Sequence, residues 1–232
     1  MKGTPASLLI LTMTAYLSQA QGTFQNLDFE SASVIPIPGD TFNRIQFNPA
    51  FLGWTGSVGG VQQNAVLYNN AFLDTSAIGI LDQAADNAPN PLVHGRIIQG
   101  SYTALLMAGI GGDTTLVQTG LIPVNAQSLR FSAYSYSLNP VTFGVTLGGQ
   151  NLSLMPIQNG PRSIVYGADI QAFAGQTVAM AFTTFAQQPH VSNNYFFLDS
   201  IQFSTEPIPE PGAGMIFLLG LGAMAFSKTC RR

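Results

Sequence analysis

Charge is scarce in this chain. Charged residues make up 8% of its 232 positions, against about 25% in ordinary soluble domains. The two lysines, Lys2 and Lys228, lie near the ends, and the cations between them are Arg44, Arg96, Arg130 and Arg162. These four face ten acids between residues 21 and 208, which leaves that stretch at −6. Without a basic stripe nothing can follow a phosphate backbone, which argues against nucleic acid as a partner. A surface of neutral amides and hydroxyls suits a protein tethered or embedded in polymer outside a cell, where repulsion between free molecules counts for less.

Cysteine and histidine are nearly absent too. The single cysteine, Cys230, is two residues from the end, so residues 21 to 208 must hold together by packing, without disulfides or thiol chemistry. Neither His94 nor His190 stands in a metal-ligand spacing. Gly56-Ser57-Val58-Gly59 lacks the preceding glycine of a nucleophile elbow. Gly109-Ile110-Gly111-Gly112 precedes no helical pattern and reads as a turn. No acid sits in an obviously apolar stretch that would raise its pKa for glycosidase work. The inventory predicts a non-enzymatic protein.

Helical periodicity is missing from the body, apart from one turn expected over Asp169 to Ala174 before Gly175. What is there is period-2 alternation: Leu129, Phe131 and Ala133 against Arg130, Ser132 and Tyr134, then Val141, Phe143, Val145 and Leu147 against Thr142, Gly144 and Thr146. Gly148-Gly149 predicts a hairpin from the second run to Leu152-Ser153-Leu154, since both glycines accept positive φ. Further strands are expected at Phe24–Phe29, Ala65–Tyr68, Ile97–Ala108, Thr115–Leu121, Arg162–Tyr166, Gln176–Phe185 and Tyr195–Phe203. Alternation slips between Phe196-Leu198 and Ile201-Phe203, which predicts a bulge at Asp199-Ser200. About nine strands with proline-rich loops at 36–40 and 87–91 indicate an all-β fold, a β-sandwich of jelly-roll type.

Both ends read as targeting segments. Lys2, the apolar stretch Leu8 to Leu17 and Ser18-Gln19-Ala20 make a signal peptide, residues 1–20, with cleavage between Ala20 and Gln21. Residues 21–204 form the sandwich domain and 205–211 a proline-rich linker ending in Pro209-Glu210-Pro211. Residues 212–232 then hold a short transmembrane helix from Gly212 to Phe226 and a basic tail with Lys228, Arg231 and Arg232. Those fifteen residues rise about 22 Å against a hydrocarbon core of about 30 Å, so the flanks must complete the span. Lys228 snorkels, and the arginines favour the cytoplasmic side. A plain tail anchor has the same outline.

The order Pro-Glu-Pro, hydrophobic helix, basic tail resembles the PEP-CTERM sorting signal of Gram-negative bacteria. The resemblance covers roughly residues 207 to 232. It implies an exosortase and a signal peptidase as partners, the inner membrane as a way station, and the cell surface or extracellular biofilm matrix as destination. The body resembles jelly-roll carbohydrate-binding modules and their galactose-binding-like relatives, through Asn26-Leu27-Asp28-Phe29-Glu30, Gly53-Trp54 and Phe197-Leu198-Asp199-Ser200-Ile201. In those modules the opening and closing segments lie close together near a structural calcium ion.

Two ligand sites are expected from the residues. Asn26, Asp28 and Glu30 would share one face of the opening strand and converge with Asp199 on calcium, the alternative being acids that simply face water. Trp54 would stack a sugar ring, with Tyr68, Tyr134 and Tyr136 as helpers, the alternative being a core tryptophan. Two functions follow: a structural cell-surface or matrix protein, and a module that binds extracellular polysaccharide.

Overall fold

A computed structural model of the chain describes residues 23–136, 143–187 and 194–208. The signal peptide, the Ala20–Gln21 junction, His190, the Pro209-Glu210-Pro211 motif, the hydrophobic helix and the tail with Lys228, Arg231 and Arg232 lie outside the described residues. Among those described, no helix is long and apolar enough to cross a membrane.

Fourteen strands occur in the described residues. They are β1 (Arg44–Gln46), β2 (Thr55–Val58), β3 (Val61–Gln62), β4 (Ala65–Tyr68), β5 (Ala77–Asp82), β6 (Tyr102–Ala108) and β7 (Thr114–Leu121). The second half adds β8 (Ser128–Tyr136), β9 (Phe143–Leu147), β10 (Gln150–Asn151), β11 (Met155–Asn159), β12 (Ile164–Asp169), β13 (Thr177–Thr184) and β14 (Asn194–Ser204). They form two sheets of a sandwich, ordered β1-β4-β5-β6-β14-β8-β12-β11 and β10-β9-β13-β7-β2-β3. Among the described residues helix is confined to a single turn, α1 (Phe47–Ala50), and 3-10 turns at Gln83–Asn87 and Gln171–Phe173. The last of these is the turn expected before Gly175.

The alternating segments behave as their pattern dictates. Leu129, Phe131 and Ala133 enter the core between the sheets, while Tyr134 packs on the opposite face. Gly148 and Gly149 take φ of +58° and +79°, and Gln150 pairs directly with Leu147, a two-residue hairpin whose turn only positive φ allows. Strand β14 slips register between Asp199 and Gln202, with Ser200 at φ +51°, the bulge foreseen at that point.

Two strands do not alternate. In β6 every residue from Thr103 to Ala108 is buried, and so is every residue of β14 from Asn194 to Asp199. Ala104, Leu106, Phe196 and Leu198 fill the main core, whereas Leu105, Met107, Tyr195 and Phe197 point to the other side. That outer face is roofed by Ala85, Val93 and Ile97 from the segment after β5. A strand covered on both faces needs apolar residues at every position, the pattern usual for buried sheet centres.

The opening segment departs from expectation. Phe24 to Phe29 is not a strand: Asn26 and Phe29 have φ of +48° and +60°, and the stretch is a buried turn. Leu27 and Phe29 are both in the main core, while Asp28 and Glu30 are exposed. The apparent alternation comes from a loop that buries two side chains, not from a pleat.

Candidate functional site

The opening and closing segments do meet. Ile201 donates its backbone N–H to the Leu27 carbonyl at 2.9 Å, across the bulge of β14. Between them they grip one piece of chain, residues 99–103. Glu30 Oε1 accepts from the N–H groups of Ser101 (2.8 Å) and Tyr102 (3.0 Å). Asp199 Oδ2 accepts from the Gln99 N–H (3.2 Å) and the Thr103 hydroxyl (2.9 Å). The Ser200 hydroxyl donates to Asp199 Oδ1 at 3.2 Å. Gly100, at φ +63°, fits this clamp because it has no side chain; a Cβ there would stand 2.3 Å from Glu30 Oε1.

These carboxylates therefore hold backbone. Asp28 turns back on the Glu30 N–H at 3.3 Å, and Asn26 Oδ1 accepts from the Ser31 N–H at 2.9 Å. Among the described residues no group of three or more acids, histidines or cysteines is arranged to hold a metal ion. The expected strand face that would align Asn26, Asp28 and Glu30 toward Asp199 is corrected, because the segment is a turn with two positive-φ residues.

Asp199 is the acid that sequence reasoning misplaced. No acid was expected in apolar surroundings, yet Asp199, at the bulge between Leu198 and Ser200, is 1% exposed. Burial pushes its pKa up to about 7, against the pull of the hydrogen bonds from Thr103, Gln99 and Ser200. The bulge was the available signal, since it turns two successive residues off the alternation.

The four expected aromatic ligands fall into three environments. Trp54 is a core residue, 3% exposed, packed against Phe29 and Phe182, with its indole N–H on the Asn26 carbonyl at 3.2 Å. The stacking role is corrected accordingly. Tyr68 lies at the edge of the main core, and its phenol donates to the Asp82 carboxylate. Burial and that neighbour raise the phenol pKa to about 12. Tyr134 and Tyr136 share the outer face of the large sheet, beside Phe197 and Tyr195 at centroid distances of 5.9 and 6.1 Å. The face of Tyr134 is covered by Arg96, whose guanidinium carbon is 4.5 Å from the ring centroid.

A cavity of about 500 Å³ lies at the β1–β4–β5 edge, lined by Phe42, Arg44, Leu67, Phe72, Leu73 and Ile78 among others. Phe42 is 56% exposed and meets Phe72 edge to face at 6.1 Å. Arg44 lies 5.7 Å over the Phe42 ring while its Nε donates to Asp40 at 2.6 Å, which holds the Asp40 carboxyl below the usual carboxylate range. Sequence reading passed over this site because Phe42, Arg44 and Phe72 fall in loops and a three-residue strand without a pattern. His94, the one described histidine, is exposed in a loop, with Nδ1 3.3 Å from the Ala88 carbonyl.

No protein-family model matches the chain. No curated protein sequence matches it significantly. Among solved structures it is similar to TmCBM61, a carbohydrate-binding module determined in complex with β-1,4-galactotriose. The two are 13% identical, with 80% of this chain and 99% of the module covered, at a TM-score of 0.46.

Proposed function

We propose that this chain is an exported, non-enzymatic protein of the cell surface or extracellular matrix, sorted through its carboxyl end. The observation that carries this reading is the order of parts after the sandwich: Pro209-Glu210-Pro211, the apolar run from Gly212 to Phe226, then Lys228, Arg231 and Arg232. A signal peptidase acts after Ala20, the helix holds the chain in the inner membrane, and an exosortase acts at the Pro-Glu-Pro motif. No cofactor is required.

The charge-poor body supports a life in polymer. Its mostly neutral surface makes many weak contacts with glycans and few ionic ones. The jelly-roll form of the sandwich belongs to this reading.

A second reading, a polysaccharide-binding module, is favoured by the aromatic cavity with exposed Phe42 and Leu73. Apolar walls with a few polar groups are the usual make-up of ligand sites.

Intact mass of the mature protein from its native host, with and without the processing enzyme, tests the sorting. A species from Gln21 to Pro209–Pro211 that depends on that enzyme is expected; a mass running on to Arg232 in both strains would sink the proposal. A glycan array separates the two readings of the body, since saturable binding of one neutral glycan class is expected only of the module.

A further inference from the structure

Three of the body's four arginines are paired. Arg44 lies on Asp40, Arg130 is 3.4 Å from Glu206, and Arg162 is 2.8 Å from Asp86. Arg96 makes no ion pair or hydrogen bond among the described residues, although it belongs to a stretch with more than twice as many acids as cations. It is nonetheless firmly placed: its guanidinium lies 4.5 Å from the Tyr134 centroid, 5.8 Å from Phe197 and 5.9 Å from Tyr136. Its Nε is buried without a partner, while its terminal nitrogens are not among the buried unpartnered atoms. A guanidinium stacked on aromatic faces keeps its planar fork free at the outer edge, the part that matches a carboxylate.

The surroundings extend this point into a groove. A depression of about 370 Å³ is lined by Arg96, Tyr134, Arg162 and Ser163 with Gly95 and Gly160. A second, of about 490 Å³, adjoins it, since both are lined by Pro161 and Arg162. Its walls add Gln83, Asn87 and Gln99, together with the Asp86 carboxylate that Arg162 neutralises. Each volume is within the usual range for ligand sites of roughly 300–1,000 Å³. Arg162 is the saddle between the two, half exposed, tied to Asp86 and to the Ile97 carbonyl at 3.2 Å.

We propose that this groove binds an acidic oligosaccharide, with a sugar carboxylate on the outer edge of Arg96, a ring against Pro161, and the amides of Gln83, Asn87 and Gln99 on hydroxyls. The cation is pre-positioned by its aromatic stack, so little side-chain freedom is lost when the carboxylate arrives. The groove lies on the outer face of the large sheet, apart from the Phe42 cavity, and its ligand differs in charge from the neutral glycan considered there. The inference stands whichever way the chain is sorted.

The test is calorimetric titration of the full chain, in a non-ionic detergent, with a trimer of galacturonate, a trimer of galactose, and acetate. Saturable binding of the uronate trimer is expected, with no binding of the neutral trimer, and weaker binding in high salt. Arg96→Gln should lower the affinity at least tenfold, and Arg162→Gln, which removes the cation shared by both depressions, should lower it severalfold. Arg130→Gln, on the same sheet but paired to Glu206, should leave it unchanged. Failure of the uronate trimer to bind, equal binding of the neutral trimer, equal binding of acetate, or undiminished affinity in folded Arg96→Gln or Arg162→Gln would each overturn the proposal.

Discussion

Asp199 couples this protein's stability to pH in a direction opposite to that of an ordinary paired carboxylate. An unfolded aspartate has a pKa near 3.9, while burial raises this one to about 7. Between those values the folded state keeps a proton that the unfolded chain releases. The contribution is therefore fully present below about pH 4 and is lost as the pH rises through about 7, with a slope of at most about 1.4 kcal/mol per pH unit. Asp199→Asn keeps the shape and removes the titration. Melting curves from pH 4 to 8 should show the wild type losing ground against that variant as pH rises; a constant difference would mean that Asp199 ionises like an exposed acid. The residue's place in a bulge was legible in the sequence, from the slipped alternation around it. Its burial was not, because Gln99 and Thr103, which enclose it, are about a hundred positions away.

The short elements follow from local rules, and the hairpin between β9 and β10 is the plainest case. Gly149 has φ +79° with nothing within 4 Å of a would-be Cβ, so Gly149→Ala tests the backbone alone and should cost about 1–2 kcal/mol by denaturant unfolding. Gly148→Asn should be close to neutral, since φ is +58° there and asparagine tolerates that region. Equal losses from both substitutions would show that packing, not φ, governs the turn. Alternation found β8 and β9 for the same local reason. It failed at Phe24 to Phe29, where Leu27 and Phe29 are buried from a turn with two positive-φ residues, and the spacing of polar and apolar residues mimics a strand. It also passed over β1, β2, β3, β5 and β11, and placed the second arm of the hairpin at Leu152-Ser153-Leu154 where β10 is Gln150–Asn151.

At the scale of the molecule, the sandwich was legible from composition and strand density, while the grooves were not. Arg96 and Arg162 stand 66 positions apart and meet because the roof over the large sheet reaches the turn between β11 and β12. Nothing in the neighbourhood of either residue announces the other. Trp54 was noticed because it is unique, and it proved to be core, since its indole N–H closes the opening turn from inside. Tyr134 and Tyr136, expected as helpers to Trp54, instead flank a cation on the outer face of the large sheet.

Strand β14 lies between β6 and β8 in the middle of the eight-stranded sheet, yet it is the last strand of the described chain. Without it, β1-β4-β5-β6 and β8-β12-β11 are two half-sheets with no hydrogen-bonded seam, and the roofed apolar face loses Tyr195 and Phe197. A chain cut before Asn194 therefore lacks the strand that joins the two halves of the larger sheet. The continuity of the larger sheet thus depends on the last strand of the described chain to be made.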